Sequence, residues 1–228
     1  IYILPNYQRN ESIASSLSLF YTLKEMGKNA NLLLDNLPEK IQFLTPSLNY
    51  ISYPKNFVIS VPGDKTEVSQ VRYEKDNQDL KIYLTIQKGN IRKADISFYF
   101  QEPKADLLII VGQKDLDFNQ RPELLEKNLL SNTPILNIDD QKENKNFGVN
   151  NLTDATKLLP EIIFNLIRSL EENAIKKPAA TSKLAAIIIS SDNFRDPKTS
   201  SDTLEISSSL IKRGADHQEI IKNLYKPE

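Results

Sequence analysis

The stretch that decides the fold is residues 133–148, TPILNIDDQKENKNFG. Pro134 to Ile138 is a short apolar run interrupted by one Asn, a pattern that predicts a buried strand. Acid, amide and basic side chains follow at once, beginning with Asp139. Ligands of open α/β sheets bind at the carboxyl ends of the strands. The stretch therefore predicts an α/β sheet with a functional site at Asp139.

Composition narrows the classes of partner. The chain has 228 residues, of which 39% are hydrophobic and 26% charged, as is typical of soluble globular domains. The 29 basic and 30 acidic residues give a net charge of -1. This balance offers no electrostatic basis for binding duplex nucleic acid or an anionic membrane.

Residue usage also limits metal chemistry and location. The chain has no Cys and a single His, His217, which excludes disulfides and thiolate metal sites and leaves little for a zinc site. No apolar run approaches the roughly 20 residues of a membrane span, and the first residues lack the features of a signal peptide. We therefore expect a cytoplasmic protein without a membrane partner.

The first part of the chain has the order of a βαβ unit. Ile1–Leu4 and Ala30–Leu34 predict strands, and Ser12–Met26 between them has the apolar spacing of a helix that Gly27 ends. The crossover of such a unit is right-handed, and its strands are parallel. Asp106–Val111 predicts another buried strand.

The middle of the chain has a different pattern. Between residues 57 and 87, three segments alternate apolar and polar residues, and polar turns separate them. We expect an antiparallel meander, inserted at about residues 57–104 into a single α/β domain that spans residues 1–228. Because the chain opens in a strand and stops soon after a helix, we also expect a further C-terminal domain.

The remaining segments predict mainly helices. Helical spacing is found at 155–173 and at Asp202–Arg213, and Glu123–Leu130 predicts a further helix. Thr181–Ile188 fits either a helix or a strand. Asp216 is expected to cap the last helix.

Three blocks in this order resemble the DHH phosphoesterase superfamily, in particular its bacterial nucleotidase and exopolyphosphatase-like branch. They are ESIASSLSLFYTLKEMGKNANLLL (11–34), NIDDQKENKNFGVNNLTD (137–154) and IIISSDNFRDPKTSSDTLEISSSLIKRGADHQEIIKNLY (187–225). The resemblance implies a doubly wound, mainly parallel α/β fold. It also implies a centre where two divalent cations activate water and hold phosphoryl oxygens.

The residues at the family's metal-ligand positions depart from its pattern. Pro5 and Arg9 replace a His and an Asp, and Glu11 conservatively replaces the next Asp. Asp139 is retained. The other departures are Gly112 and Ser190 in place of two further Asp residues, and Asp140 and Gln141 in place of two His residues.

These departures predict a pseudoenzyme that has lost its two-metal centre and serves as a non-catalytic ligand-binding or assembly domain, with no cofactor. The alternative is an active Mg- or Mn-dependent phosphoesterase acting on short oligonucleotides or nucleotides, with Glu11 and Asp139 as metal ligands. The sequence leaves homodimer formation open. Asp139 is also compatible with a residue that forms a turn, and Glu11 with a favourable charge in the first turn of a helix.

The lost acids also suggest what replaced the cations. An added guanidinium at Arg9 and a second one at Arg195 favour anions, and the start of the helix near Ser12 supplies N–H donors. We therefore expect Arg9, Ser12, Ser190 and Arg195 to bind a phosphate-bearing small molecule or short oligonucleotide. Ser12 is also compatible with a simple helix cap. Carboxylates left without a cation repel, so we expect removal of Asp139 or Glu11 to leave stability unchanged or slightly higher.

Overall fold

The computed structural model describes residues 1–34, 36–45, 56–101, 105–116 and 133–225. The chain divides into two compact units. The α/β unit comprises Ile1–Tyr53 and Lys104–Glu228, and the insertion unit comprises Pro54–Pro103.

A five-stranded sheet forms the centre of the α/β unit, in the order β2-β1-β7-β8-β9. Its strands are β1 (Tyr2–Pro5), β2 (Asn31–Leu32), β7 (Leu108–Val111), β8 (Ile135–Asp139) and β9 (Asn150–Thr153). All four pairings are parallel. The parallel sheet expected from the sequence is confirmed, with strand limits that differ by a few residues.

Five helices of the α/β unit are described. They are α1 (Asn10–Glu25), α2 (Leu159–Glu171), α3 (Lys177–Ser190), α4 (Ser201–Lys212) and α5 (His217–Leu224). A 3-10 helix covers Glu39–Leu44. The segment that fitted a helix or a strand lies in α3. The predicted cap of the last helix is confirmed, because the Asp216 carboxylate accepts the Glu219 N–H at 2.9 Å. The predicted helix Glu123–Leu130 lies outside the described residues.

Apolar side chains fill both faces of the sheet. Ile3, Ile109 and Ile138 belong to one buried cluster, which also includes residues of α1, α2 and α3. Leu4 and Ile110 belong to a second cluster. Alternate residues of β1 and β7 thus enter different clusters, which is why these strands appear in the sequence as continuous apolar runs.

Strand β9 was not expected from the sequence. Its residues, NNLT, show no apolar alternation, and three of the four are polar. It lies at the edge of the sheet, where only one side pairs with a neighbour. Because an edge strand can face water, its sequence needs no apolar pattern.

The antiparallel β insertion expected from the sequence is confirmed, but its strands do not pair as a three-stranded meander. Strand β3 (Asn56–Ser60) pairs antiparallel with β6 (Ser97–Gln101), while β4 (Thr66–Lys75) and β5 (Leu80–Gly89) form a separate antiparallel hairpin. The alternation identified strands correctly, but it carries no information on which strand pairs with which. The α/β unit thus carries an insertion of two antiparallel ribbons.

No helix among the described residues is long and apolar enough to cross a membrane.

Candidate functional site

Three adjacent strands of the sheet end at one edge and bring the candidate residues together. The loop after β1 leads into α1 and carries Arg9 and Glu11, β7 is followed by Gly112, and β8 ends in Asp139. Parallel strands present their carboxyl ends on the same side, where α/β sheets bind ligands. The sequence prediction of a site at Asp139 therefore coincides with the part of the sheet that can build one.

The guanidinium of Arg9 lies at the centre of three carboxylates. Its Nε donates to Glu11 Oε1 at 2.7 Å, its Nη2 to Asp140 Oδ1 at 2.8 Å and its Nη1 to Asp139 Oδ1 at 3.3 Å. Nη1 also lies 3.4 Å from the Gly112 carbonyl oxygen. Each nitrogen of the guanidinium thus has its own carboxylate. We call these four side chains the Arg9 cluster.

Partial burial strengthens the charge interactions of the Arg9 cluster. The side chain of Arg9 is 21% exposed, while that of Asp139 is fully buried. Burial opposes the positive charge, but the carboxylates of Asp140 and Glu11 together outweigh it and raise the pKa of Arg9 above its ordinary value. The guanidinium therefore stays charged and neutralises part of the surrounding negative charge.

Asp139 is also held by two amide side chains. Gln141 Nε2 donates to its carboxylate at 3.1 and 3.3 Å, and Asn144 Nδ2 donates at 2.8 Å. Asn144 in turn accepts from Asn137 Nδ2 at 2.7 Å, which ties the carboxylate to the middle of β8. The expectation that removing Asp139 leaves stability unchanged assumed that the carboxylates repel each other without a cation. Arg9 supplies a cation, so this assumption does not hold. Asp139 has a structural role in the network.

Asp140 connects the cluster to the helices. Its Oδ2 accepts the backbone N–H of Leu159 at 3.3 Å, at the start of α2, where the helix dipole favours a negative charge. Its backbone carbonyl lies 3.4 Å from the amine of Lys198, and the same amine lies 3.5 Å from the Lys157 carbonyl. Lys198, which the sequence analysis missed, therefore brings a second cation beside the site.

Gly112 has no room for a side chain. Its φ of +71° is left-handed, and a Cβ at this position would lie 2.9 Å from Ser12 Oγ and 3.0 Å from Ser12 Cβ. Its carbonyl oxygen also accepts from Gln141 Nε2 at 3.1 Å and from Asn6 Nδ2 at 2.9 Å. At position 112, where the resemblance implies an acid, the backbone thus lies close against helix α1.

Ser12 does not cap α1, contrary to the simpler expectation. The residue at the N-cap position is Arg9, which makes no side-chain cap hydrogen bond. Ser12 Oγ instead donates to the Val111 carbonyl at 2.8 Å and accepts the Asn6 N–H at 2.9 Å. The hydroxyl therefore joins the first turn of α1 to the end of β7, and both of these bonds lie within the protein.

The four residues expected to bind an anion do not form one cluster. Ser190 Oγ donates to the Ile187 carbonyl at 3.2 Å, within its own helix. Arg195 is exposed and pairs with Asp192 at 2.8 Å. Among the described residues, no hydrogen bond or ion pair connects either of them to Arg9.

No group of three or more His, Cys, Asp or Glu residues in the described part of the chain is arranged to hold a metal ion. Glu11 and Asp139, which resemblance suggested as metal ligands, each have an oxygen bonded to Arg9. As it stands, the arrangement binds an internal guanidinium.

Comparison with known proteins gives structural matches. No protein-family model matches the chain, and no curated protein sequence does. It is similar to an exopolyphosphatase-related protein from Bacteroides fragilis, with a TM-score of 0.68 and 16% identity over 100% of this chain and 56% of that protein. It is also similar to a putative family II inorganic pyrophosphatase from Methanococcus jannaschii, with a TM-score of 0.50 and 14% identity over 97% of this chain and 60% of that protein.

The chain therefore spans less than two thirds of either of these two proteins. Identities this low carry information on the fold alone. With its parallel sheet and antiparallel ribbons, the chain shares the α/β fold of the exopolyphosphatase-related protein.

Proposed function

We propose that this domain is a non-catalytic member of the phosphoesterase-like fold, in which Arg9 takes the place of the metal centre and fixes the strand ends as a scaffold for assembly. The contacts of the Arg9 guanidinium with Glu11, Asp139 and Asp140 carry the proposal. A two-metal phosphoesterase needs these oxygens free to coordinate cations and needs a metal-bound water to attack the substrate.

Electrostatics explains why the guanidinium and a metal compete. A divalent cation at the same carboxylates would lie within a few Å of a charge that cannot be removed by deprotonation. It would also have to replace hydrogen bonds of 2.7 and 2.8 Å that Arg9 makes to Glu11 and Asp140. The internal cation therefore provides much of what the metal would provide to the fold, without a Lewis acid or an activated water.

The test is to remove the internal cation and look for metal binding. We expect no calorimetric binding of Mn²⁺ to the parent chain and no hydrolysis of short oligonucleotides. Arg9→Asp places an acid beside Glu11 and Asp139, and we expect it to bind Mn²⁺ measurably. The control is Arg195→Ala, which removes an exposed guanidinium outside the Arg9 cluster.

Metal-dependent hydrolysis by the parent chain that disappears in Asp139→Ala would overturn the proposal. It would support the alternative, an active Mg- or Mn-dependent phosphoesterase acting on short oligonucleotides or nucleotides. Mn²⁺ binding to the parent without hydrolysis would also contradict the replacement of the metal by Arg9.

A second candidate function is metal-free binding of a phosphate-bearing ligand, and Lys198 is the observation that favours it. Its amine contacts backbone carbonyls beside the Arg9 cluster and has no carboxylate partner among the described residues. An ammonium without a counter-ion can donate hydrogen bonds to a phosphate oxygen.

Calorimetric titration with inorganic phosphate and a nucleotide in chelator tests this candidate. We expect binding that weakens in Lys198→Ala and Arg9→Ala. The variants Ser12→Ala, Ser190→Ala and Arg195→Ala test the remaining residues of the sequence-based anion hypothesis. No binding, or binding that none of these substitutions changes, would exclude the candidate.

A further inference from the structure

The β4–β5 hairpin of the insertion unit has one apolar face. Cross-strand partners share a face, and the pairs Val71–Leu84 and Tyr73–Ile82 lie on the same one, two residues apart along each strand. Tyr73 is 74% exposed and Val71 65% exposed. Leu80 continues the same face towards the turn and is also exposed. We call this surface the apolar hairpin face.

The opposite face of the hairpin is suited to water. Arg72 and Glu74 form an ion pair at 2.8 Å, and the Tyr83 hydroxyl donates to the Glu74 carboxylate at 3.0 Å. The Arg72 guanidinium lies 4.5 Å from the centre of the Tyr83 ring. The hairpin is therefore amphipathic, which is the pattern of a sheet with one face in water and the other against a second layer.

The second ribbon of the insertion unit repeats this pattern on a smaller scale. Phe57 pairs with Phe100 and Ile59 with Phe98, so all four side chains lie on one face of β3–β6. The rings of Phe57 and Phe98 are stacked at 6.0 Å. All four side chains are nevertheless exposed.

Two-stranded ribbons with these faces exposed are at most marginally stable in water, because a ribbon needs further strands or a packed layer. Eleven large hydrophobic side chains of the two ribbons are substantially exposed: Phe57, Ile59, Val71, Tyr73, Leu80, Ile82, Tyr83, Ile86, Phe98, Tyr99 and Phe100. The five that lie on the apolar hairpin face, Val71, Tyr73, Leu80, Ile82 and Ile86, offer on the order of 400 Å² of apolar surface. Monomeric proteins rarely expose apolar patches of more than a few hundred Å², and a standard interface buries roughly 800 Å² on each partner.

We propose that the insertion unit is a self-association surface, on which the apolar hairpin faces of two copies of this chain pack against each other. The two cross-strand pairs at its centre carry no charge, so a second copy meets no like-charge repulsion there. A standard interface buries roughly 800 Å² on each partner, somewhat more than half of it apolar, and the exposed apolar area of this face is of that order. Two twisted ribbons of equal length can stack as the layers of a sandwich, with the same patch used by both copies. This proposal does not depend on the function of the Arg9 cluster.

Sedimentation of the whole chain over a range of concentrations tests the proposal. We expect a dimer for the parent and a dimer dissociation constant at least about 100-fold higher for Tyr73→Lys with Ile82→Lys, because each copy loses two buried side chains. The matched control is Gln70→Lys with Thr85→Lys. It adds the same charge to a cross-strand pair of the same hairpin, on the opposite face.

Three results would overturn the proposal. They are a parent chain that is monomeric at every concentration, a dimer that the Tyr73 and Ile82 substitutions leave intact, and equal dissociation in the control. A monomer would mean that another protein, or another part of the same chain, covers the face.

Cysteine cross-linking gives a readout that does not require a disruptive substitution. The chain has no Cys, so each introduced thiol is unique. Stacked sheets lie about 10 Å apart, within reach of a short bismaleimide. Val71→Cys should form cross-linked dimers, whereas the neighbouring Gln70→Cys, on the polar face, should not. Equal yields from both, or none from Val71→Cys, would contradict stacking through the apolar hairpin face.

Discussion

Arg9 and Lys183 are two basic residues of the α/β unit that differ in how their charge is accommodated away from water. Arg9 is partly buried and contacts three carboxylates. Lys183 lies in α3, is fully buried, and its amine has no hydrogen-bond partner among the described residues. Burial lowers the pKa of Lys183 well below its ordinary value.

The chemistry of the two side chains explains the difference. A guanidinium cannot lose its proton in a protein, so it enters the interior only with acids around it. An amine can become neutral, and it then costs the fold an unpaired polar group instead of an unpaired charge. The carboxylates of the Arg9 cluster are therefore part of the stability of the fold, while the amine of Lys183 opposes it.

The largest change in stability is expected when the Arg9 cluster loses the carboxylate of Asp139. Asp139→Ala leaves Arg9, Gln141 and Asn144 without their shared acceptor, and we expect the free energy of unfolding to fall by about 3–5 kcal/mol. Denaturant unfolding measures it. Arg195→Ala, which removes an exposed partner of Asp192, is the control and should change little. Equal, small effects of both substitutions would mean that the network contributes no stability.

A gain in stability is expected when the buried amine of Lys183 is removed. Lys183→Met keeps a long, flexible side chain and removes the unpaired amine, so the free energy of unfolding at pH 7 should rise by about 1–3 kcal/mol. The same denaturant series measures this change. A loss of stability would show that the amine has a favourable partner, such as a buried water.

The buried Lys183 should also make the stability of the parent chain depend on pH. Between the lowered pKa of Lys183 in the fold and the ordinary value of 10.5, the unfolded chain binds a proton that the folded chain does not. Stability therefore rises with pH across this window, by up to about 1.4 kcal/mol per pH unit from this one group. The difference in unfolding free energy between Lys183→Met and the parent should shrink as pH rises. A constant difference would contradict the lowered pKa.

The smallest change in stability is expected at the exposed ion pair between Arg195 and Asp192. Arg195 and Asp192 are both largely exposed and three residues apart in the chain. Arg195→Ala should change the free energy of unfolding by less than about 0.5 kcal/mol. A larger loss in thermal or denaturant unfolding would assign this pair a structural role.

The sequence predicted which segments form strands better than it predicted how those strands pair. Buried strands such as Leu108–Val111 are continuous apolar runs, and α1 has regular helical spacing, so both could be identified locally. The pairing of β3 with β6 could not, because the partner strand lies about 40 residues later and alternation is the same for any partner.

The site was predicted by position but not by contact. The stretch around Asp139 and the segment with Arg9 both lie at the carboxyl edge of the sheet, where the sequence placed them. The direction of the Arg9 side chain could not be predicted, because it depends on an acceptor 130 residues away. Lys183 gave no signal either, since one Lys in an apolar helix ordinarily extends to the surface.

Gly112 lies where a side chain is difficult to accommodate. An acid at this position would have to fit into space that Ser12 fills, on a left-handed backbone that side chains with a Cβ rarely adopt. A single Gly112→Asp substitution is therefore disfavoured whatever its benefit to metal binding, and it becomes accessible only after position 12 has become smaller and the loop has shifted. Glycine at position 112 is thus held in place by its neighbours, and an acid there would require changes at more than one residue.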